Sequence, residues 1–200
     1  MILFNLISFL VMLGCAAILF WGIKLLEEID FKTLFFLLVI SGGSYSLLLW
    51  WQDSAWWLNN LIILASALFS GQLIGLSIRS KGAIITFCLA AAIVDGLSYT
   101  NGLTDSILTS YSSGESELLL YLSITLPFGG ATAPFIGIGD LVIITGLFSG
   151  FNMDGDAGKG AFLAPFSGLI MATTVGLFIG GVPALPFIAA TTILYIWILS

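Results

Sequence analysis

Two carboxylates stand where the surrounding sequence is apolar. Asp95 follows Ala90-Ala-Ala-Ile-Val94, and Asp140 sits within Pro134-Phe-Ile-Gly-Ile-Gly-Asp-Leu-Val-Ile-Ile-Thr145. The other acidic residues, Glu27, Glu28, Asp30, Asp53, Asp105, Glu115, Glu117, Asp154 and Asp156, fall in stretches that read as loops. A carboxylate at membrane depth costs about 2.5–3.5 kcal/mol on insertion scales, and such groups face a polar cavity or a partner. No Lys or Arg shares an apolar run with either one, so the economical partner for each aspartate is the other. Two close carboxyl groups resist double ionisation and hold one proton between them. One is then a base that activates water, the other an acid that polarises a carbonyl. The same two groups would also serve a proton-coupled transporter, and the residues alone leave that alternative open.

Nothing else in the chain offers rival chemistry. Histidine is absent, which removes the commonest metal ligand and the usual catalytic base. Cys15 and Cys88 lie singly inside apolar runs and read as packing residues. Asp154-Gly-Asp156 begins like a calcium loop, but Pro165 stands at its twelfth position where a bidentate Glu is needed. Gly158-Lys159-Gly160 lacks the upstream glycine of a phosphate loop. We expect no metal and no cofactor. A net charge of −6 with five basic residues argues against nucleic acid as a partner.

The elements that must hold the two aspartates follow from composition. The chain is 59% hydrophobic and 8% charged, where soluble domains run at about 45–50% and about 25%; mean hydropathy is +1.14. These values predict an all-α, multi-pass membrane protein whose immediate partner is the lipid bilayer. Seven apolar runs reach spanning length, approximately 1–23, 33–51, 57–78, 82–100, 132–150, 161–181 and 183–199. They form one transmembrane domain over 1–200, with N-terminal helices in 1–81 and the carboxylate-bearing helices in 82–200. The runs are continuous rather than alternating, which argues against a β-barrel. The first run has no basic leader segment or cleavage site and is expected to stay as a helix.

Lys24, Lys32, Arg79, Lys81 and Lys159 all fall on one side if the chain alternates seven times. Cationic loops stay cytoplasmic, so the N-terminus is expected outside and the C-terminus inside. Trp50, Trp51, Trp56 and Trp57 cluster at the outer ends of spans two and three. Asp140 lies eight residues inside its span, and so does Asp95 if the fourth helix runs on to about Leu103. At about 1.5 Å per residue both would sit about 12 Å below the outer surface. Between these spans, Ser110–Glu117 reads as an exposed loop. Leu118–Leu126 is apolar but short, a strand or a re-entrant segment.

Gly137 and Gly139 flank one residue just before Asp140. Glycine in a helix interior costs about 1 kcal/mol relative to Ala, and a missing side chain lets another backbone come close. Pro183-Ala-Leu185 opens the last span, and Gly180-Gly181-Val182-Pro183 must form a tight turn before it. Taken as a set, these residues carry a resemblance. Gly137-Ile-Gly-Asp140 resembles the GxGD motif of the presenilin and signal peptide peptidase family of intramembrane aspartyl proteases. Pro183-Ala184-Leu185 resembles that family's PAL motif, and Asp95 its other catalytic aspartate, one span before GxGD. The likeness covers about 83–199, the family's last four helices.

Two departures stand beside it. The family usually has Tyr before the first aspartate where Val94 stands here, and it has nine spans where seven are read here. Asp105 is the next candidate for the first aspartate, although Asn101-Gly102 and Ser106 make its surroundings look like a loop. Prepilin peptidases, which also carry GxGD, are the nearest enzymatic alternative.

The resemblance implies an aspartic endopeptidase acting within membrane helices, with Asp95 and Asp140 sharing a proton. Gly137 and Gly139 would admit the substrate backbone, and Pro183, Ala184 and Leu185 would shape the floor of the cleft. Leu118–Leu126, including Tyr121 and Ile124, would pair with an unwound substrate by strand addition. Substrates would be transmembrane helices or leftover signal peptides. Compact loops and absent sequons lean towards a prokaryotic plasma membrane, and a homo-oligomer is left open.

Overall fold

Long apolar runs separated by short polar or glycine-bearing breaks give helices joined by tight connections. The computed structural model describes residues 2–26, 28–50, 56–128, 131–153, 159–179 and 182–199. In chain order these form α1 (Ile2–Leu26), α2 (Phe31–Trp50), α3 (Trp56–Gly75), α4 (Lys81–Asn101), α5 (Leu103–Ser112) and α6 (Leu118–Tyr121). There follow β1 (Ser123–Phe128), β2 (Ala131–Gly137), α7 (Ile138–Met153), α8 (Lys159–Ile179) and α9 (Leu185–Leu199). The protein is mostly helical. Of the described helices, α3 and Lys81–Thr100 within α4 are long and apolar enough to cross a membrane, by length and composition. Leu10–Leu26, Phe31–Leu47, Ile138–Asn152, Gly160–Gly176 and Leu185–Ile198 are shorter apolar helices. Of the turn expected at Gly180-Gly181-Val182-Pro183, the two glycines lie outside the described residues, as do Trp51, Glu27, Asp53, Asp154 and Asp156.

Helix starts and stops have local causes. The Thr33 hydroxyl donates to the Asp30 carboxylate (2.5 Å) at the head of α2 and holds that carboxyl below the usual carboxylate range. Ser80 caps α4 by accepting the Ala83 N–H (3.3 Å), which satisfies one of the donors a helix start leaves open. All five cations stand at helix ends: Lys24 in the last turn of α1, Lys32 early in α2, Arg79 and Lys81 at the α3–α4 junction, Lys159 at the head of α8.

Gly102 ends α4, its N–H donating to the Ser98 carbonyl (3.1 Å). A Cβ there would come 2.6 Å from Ser98 Cα, so only glycine fits. The chain then restarts as a helix, with the Thr104 N–H donating to Ser98 Oγ (3.1 Å). Asp105 is therefore in the first turn of α5 and not in a loop. The apolar spacing of Leu103, Ile107 and Tyr111, four apart, is what winds this segment. Of the expected loop at 110–117, residues 110–112 close α5 and the rest turns through Gly114, the one described residue with positive φ (76°).

The region before α7 departs from the expected helix. The run at 132–150 is a strand as far as Gly137, and only then a helix. Pro134 fits this: it pushes the preceding Ala133 to extended backbone, and its missing N–H is tolerated at a strand edge, although α8 accommodates Pro165 within a helix. Hydropathy sees the apolar residues but not that backbone restriction. β1 and β2 form an antiparallel two-stranded sheet pairing Ile124 with Ile136, Thr125 with Pro134 and Phe128 with Ala131. The register slips between Ile124 and Thr125, which leaves Phe135 as the extra residue of a bulge. The apolar segment expected over 118–126 is thus helical at Leu118–Tyr121 and extended only from Ser123.

Two compact units emerge, each built from two stretches of chain: residues 1–73 with 118–145, and residues 74–117 with 146–200. They are interleaved in sequence. In the first unit the buried side chains include Leu19, Ile23, Leu34, Ile63, Ile124 and Leu141. In the second they include Ile84, Leu147, Phe148, Phe151 and Ile188. There α9 packs on both α4 and α8. The α8–α9 approach is close enough that a Cβ on Gly168 would lie 2.5 Å from Ile188 Cα.

Candidate active site

Asp95 occupies the last two turns of α4, half-buried. Its Oδ2 accepts the backbone N–H of Leu185 at 3.1 Å. That donor is free for a structural reason. Leu185 is the first residue of α9, and N–H groups of a first helical turn have no partner inside their helix. Pro186, next in line, has no N–H at all, which makes Leu185 the natural donor at this helix head. Pro183 and Ala184 lead into the turn half-buried, and the Ala184 carbonyl accepts from Phe187 and Ile188 at 3.1 Å each. The second unit therefore brings together Asp95 and the Pro183-Ala184-Leu185 segment.

Asp140 belongs to the first unit. It lies in the first turn of α7, the third residue of the helix, rather than eight residues inside one as expected. The reason is again the strand, which takes up the residues that hydropathy assigned to the helix. A carboxylate in a first turn faces the positive end of the helix dipole. Gly137, the last residue of β2, lies directly beneath it: a Cβ there would sit 3.4 Å from Asp140 Oδ2. Gly139 is exposed, and a Cβ on it would meet nothing within 4 Å. The head of α7 is pinned by the Ile138 N–H, which donates to the Leu122 carbonyl at 2.9 Å.

Tyr121 ends α6 and is half-buried. Ile124 is 1% exposed, so its side chain is core, and only its backbone takes part in strand pairing. Three residues that sequence reasoning passed over hold this segment from α2 and α3. The Tyr45 hydroxyl donates to the Tyr121 carbonyl. Asn59 Nδ2 donates to the Leu120 carbonyl at 3.3 Å. Asn60 grips Thr125 from both sides of its peptide, accepting its N–H at 2.8 Å and donating to its carbonyl at 2.8 Å. The signal was present: two adjacent amides inside an apolar run need partners for the same reason an aspartate does.

The described residues thus hold Asp95 with Leu185 in one unit, and Asp140 with Gly137 and the hairpin in the other. No family model matches the chain, and no curated protein and no solved structure matches it.

Proposed function

We propose that the chain is an intramembrane aspartyl protease, similar to signal peptide peptidase, with Asp95 and Asp140 as its two catalytic carboxylates. The observation that carries this reading is the hydrogen bond from the Leu185 N–H to Asp95. It joins the segment resembling PAL to the aspartate that the resemblance assigns to catalysis, although ninety residues separate them. The position of Asp140 against Gly137 supports the second half, because the GxGD glycine leaves the carboxylate accessible to a neighbouring backbone.

On this reading the chain crosses the bilayer seven times, and the exposed apolar side chains of α1 and α2, such as Trp21, Phe36 and Leu47, face lipid. A peptide bond in a membrane helix is shielded by its own hydrogen bonds, so the substrate must unwind to be cut. One carboxylate takes a proton from water as the oxygen attacks the scissile carbonyl carbon. The other donates its proton to the carbonyl oxygen. Collapse of the resulting diol breaks the C–N bond, and the leaving amine takes up a proton from the pair. An extended stretch of substrate is held by pairing with β2, whose last residue lies three positions before Asp140.

The test uses purified protein in detergent with a labelled signal-peptide-like helix. Cleavage by the wild type, lost in both Asp95→Asn and Asp140→Asn, is expected. No cleavage of any helix tried, together with flux into liposomes that depends on the two carboxylates, would replace the protease with a transporter.

A further inference from the structure

The contact between Asn60 and Thr125 has a shape that packing alone does not require. A carboxamide carries one acceptor and one donor group in a plane, as a peptide unit does. Here Asn60 Oδ1 accepts the Thr125 N–H and Nδ2 donates to the Thr125 carbonyl, both at 2.8 Å. The Thr125 hydroxyl adds a third contact to Oδ1 at 3.3 Å. These are the bonds a neighbouring strand would make. Across the hairpin Thr125 stands opposite Pro134, which has no N–H to offer, so its main-chain groups are turned to the outer side of β1. Two residues further on, Pro127 removes another donor from β1. Among the described residues, nothing comparable grips Thr132–Phe135 of β2, which are half-buried.

We propose that Asn60 is a positioning residue that stands in for a third strand. It closes the outer edge of β1 and fixes the hairpin, leaving the edge of β2 as the one that receives an extended peptide. Tyr45 and Asn59 hold the preceding turn, and Leu122 passes the constraint to the head of α7 through its bond from Ile138. The clamp thereby sets the register between a paired substrate and Asp140. The substrate part of this inference rests on the protease reading; the clamp itself does not.

Two variants break the contact from opposite sides in the full-length protein. Asn60→Leu keeps the branched shape of the side chain and removes the amide. Thr125→Pro removes the N–H that faces Asn60 at a position where the ladder to β2 does not use it, so a variant that fails to fold on one side is checked by the other. Hydrogen exchange of a peptide covering 122–128 is expected to speed roughly tenfold in Asn60→Leu, the loss of at least one net hydrogen bond. Cleavage of the labelled helix is expected to spread from one principal bond to its neighbours in both variants, as mass spectrometry of the products would record. A change that merely loosened the fold would lower the rate without moving the cut.

Unchanged exchange in Asn60→Leu overturns the clamp, whatever proteolysis does. Faster exchange with the cut still at one bond overturns its role in register. A wild type that cuts nothing overturns the assignment of the β2 edge to substrate, while the exchange result still decides the clamp.

Discussion

Asp95 takes its hydrogen bond from Leu185, a residue 90 positions further along the chain. Asp140 lies over Gly137, three residues before it on a single strand-to-helix turn. One carboxylate is positioned by tertiary packing and the other by local backbone geometry. A position that depends on packing is lost when α9 shifts against α4, by a substitution far away in sequence. A position that depends on a local turn survives such shifts and is lost only to changes at the turn. The two aspartates are thus vulnerable to different substitutions, although the proposed chemistry asks the same of both.

The largest effects should ignore this difference. Asp95→Asn and Asp140→Asn are each expected to lower kcat by on the order of 10²–10⁴-fold, the usual range for general acid–base groups. A mass-spectrometric cleavage assay would measure both; if Asp95→Asn alone stays active, the first carboxylate must be sought at Asp105.

The next substitution separates the halves. Leu185→Pro keeps a residue suited to a first helical turn but deletes the N–H that Asp95 receives. A hydrogen bond to a charged group is worth about 1.5–3 kcal/mol, so kcat should fall by about 10- to 150-fold with KM little changed. Leu185→Ala retains the donor and should stay within a few-fold of wild type. Equal losses in the two would show that the side chain, not the N–H, matters.

At Gly137 the effect should grow with size. The Cβ of Gly137→Ala would stand at ordinary contact distance from Asp140 Oδ2 (3.4 Å), so a loss below roughly tenfold is expected. Gly137→Val must push the carboxylate aside and should be nearly inactive. The smallest structural change is Gly139→Ala, which meets nothing of the protein within 4 Å. Removing a glycine from a helix should raise stability by up to about 1 kcal/mol, read as a higher Tm. A fall in cleavage alongside that rise would mark the open space at Gly139 as room for substrate.

The long helices were largely legible because each is written in a continuous apolar run, and hydropathy averages over side chains; α5 was not, because its apolar residues alternate with polar ones. The strand was not, because Thr132–Ile136 is as apolar as a helix segment and its one break, Pro134, is a residue that α8 takes into a helix as Pro165. Asp95 and Asp140 stood out as charges in apolar surroundings, which is a property of single positions. Tyr45, Asn59 and Asn60 were harder to see. Their role lies in what they bond, the carbonyls of Leu120, Tyr121 and Thr125, and backbone groups look alike at every residue. The bond from Leu185 to Asp95 is of this kind too: a motif could name both partners, but no sequence rule points a particular N–H at a particular carboxylate.

The distance along the chain between Asp95 and Leu185 also sets an order of assembly. Synthesis proceeds at about 5–20 residues per second, so a 90-residue gap keeps Asp95 waiting on the order of 5–20 s for its donor. Until α9 has been made, the ribosome carries a chain that holds the first aspartate but lacks the helix head that orients it. A chain halted before Leu185 would therefore hold the Asp95 carboxylate without the backbone donor that α9 supplies.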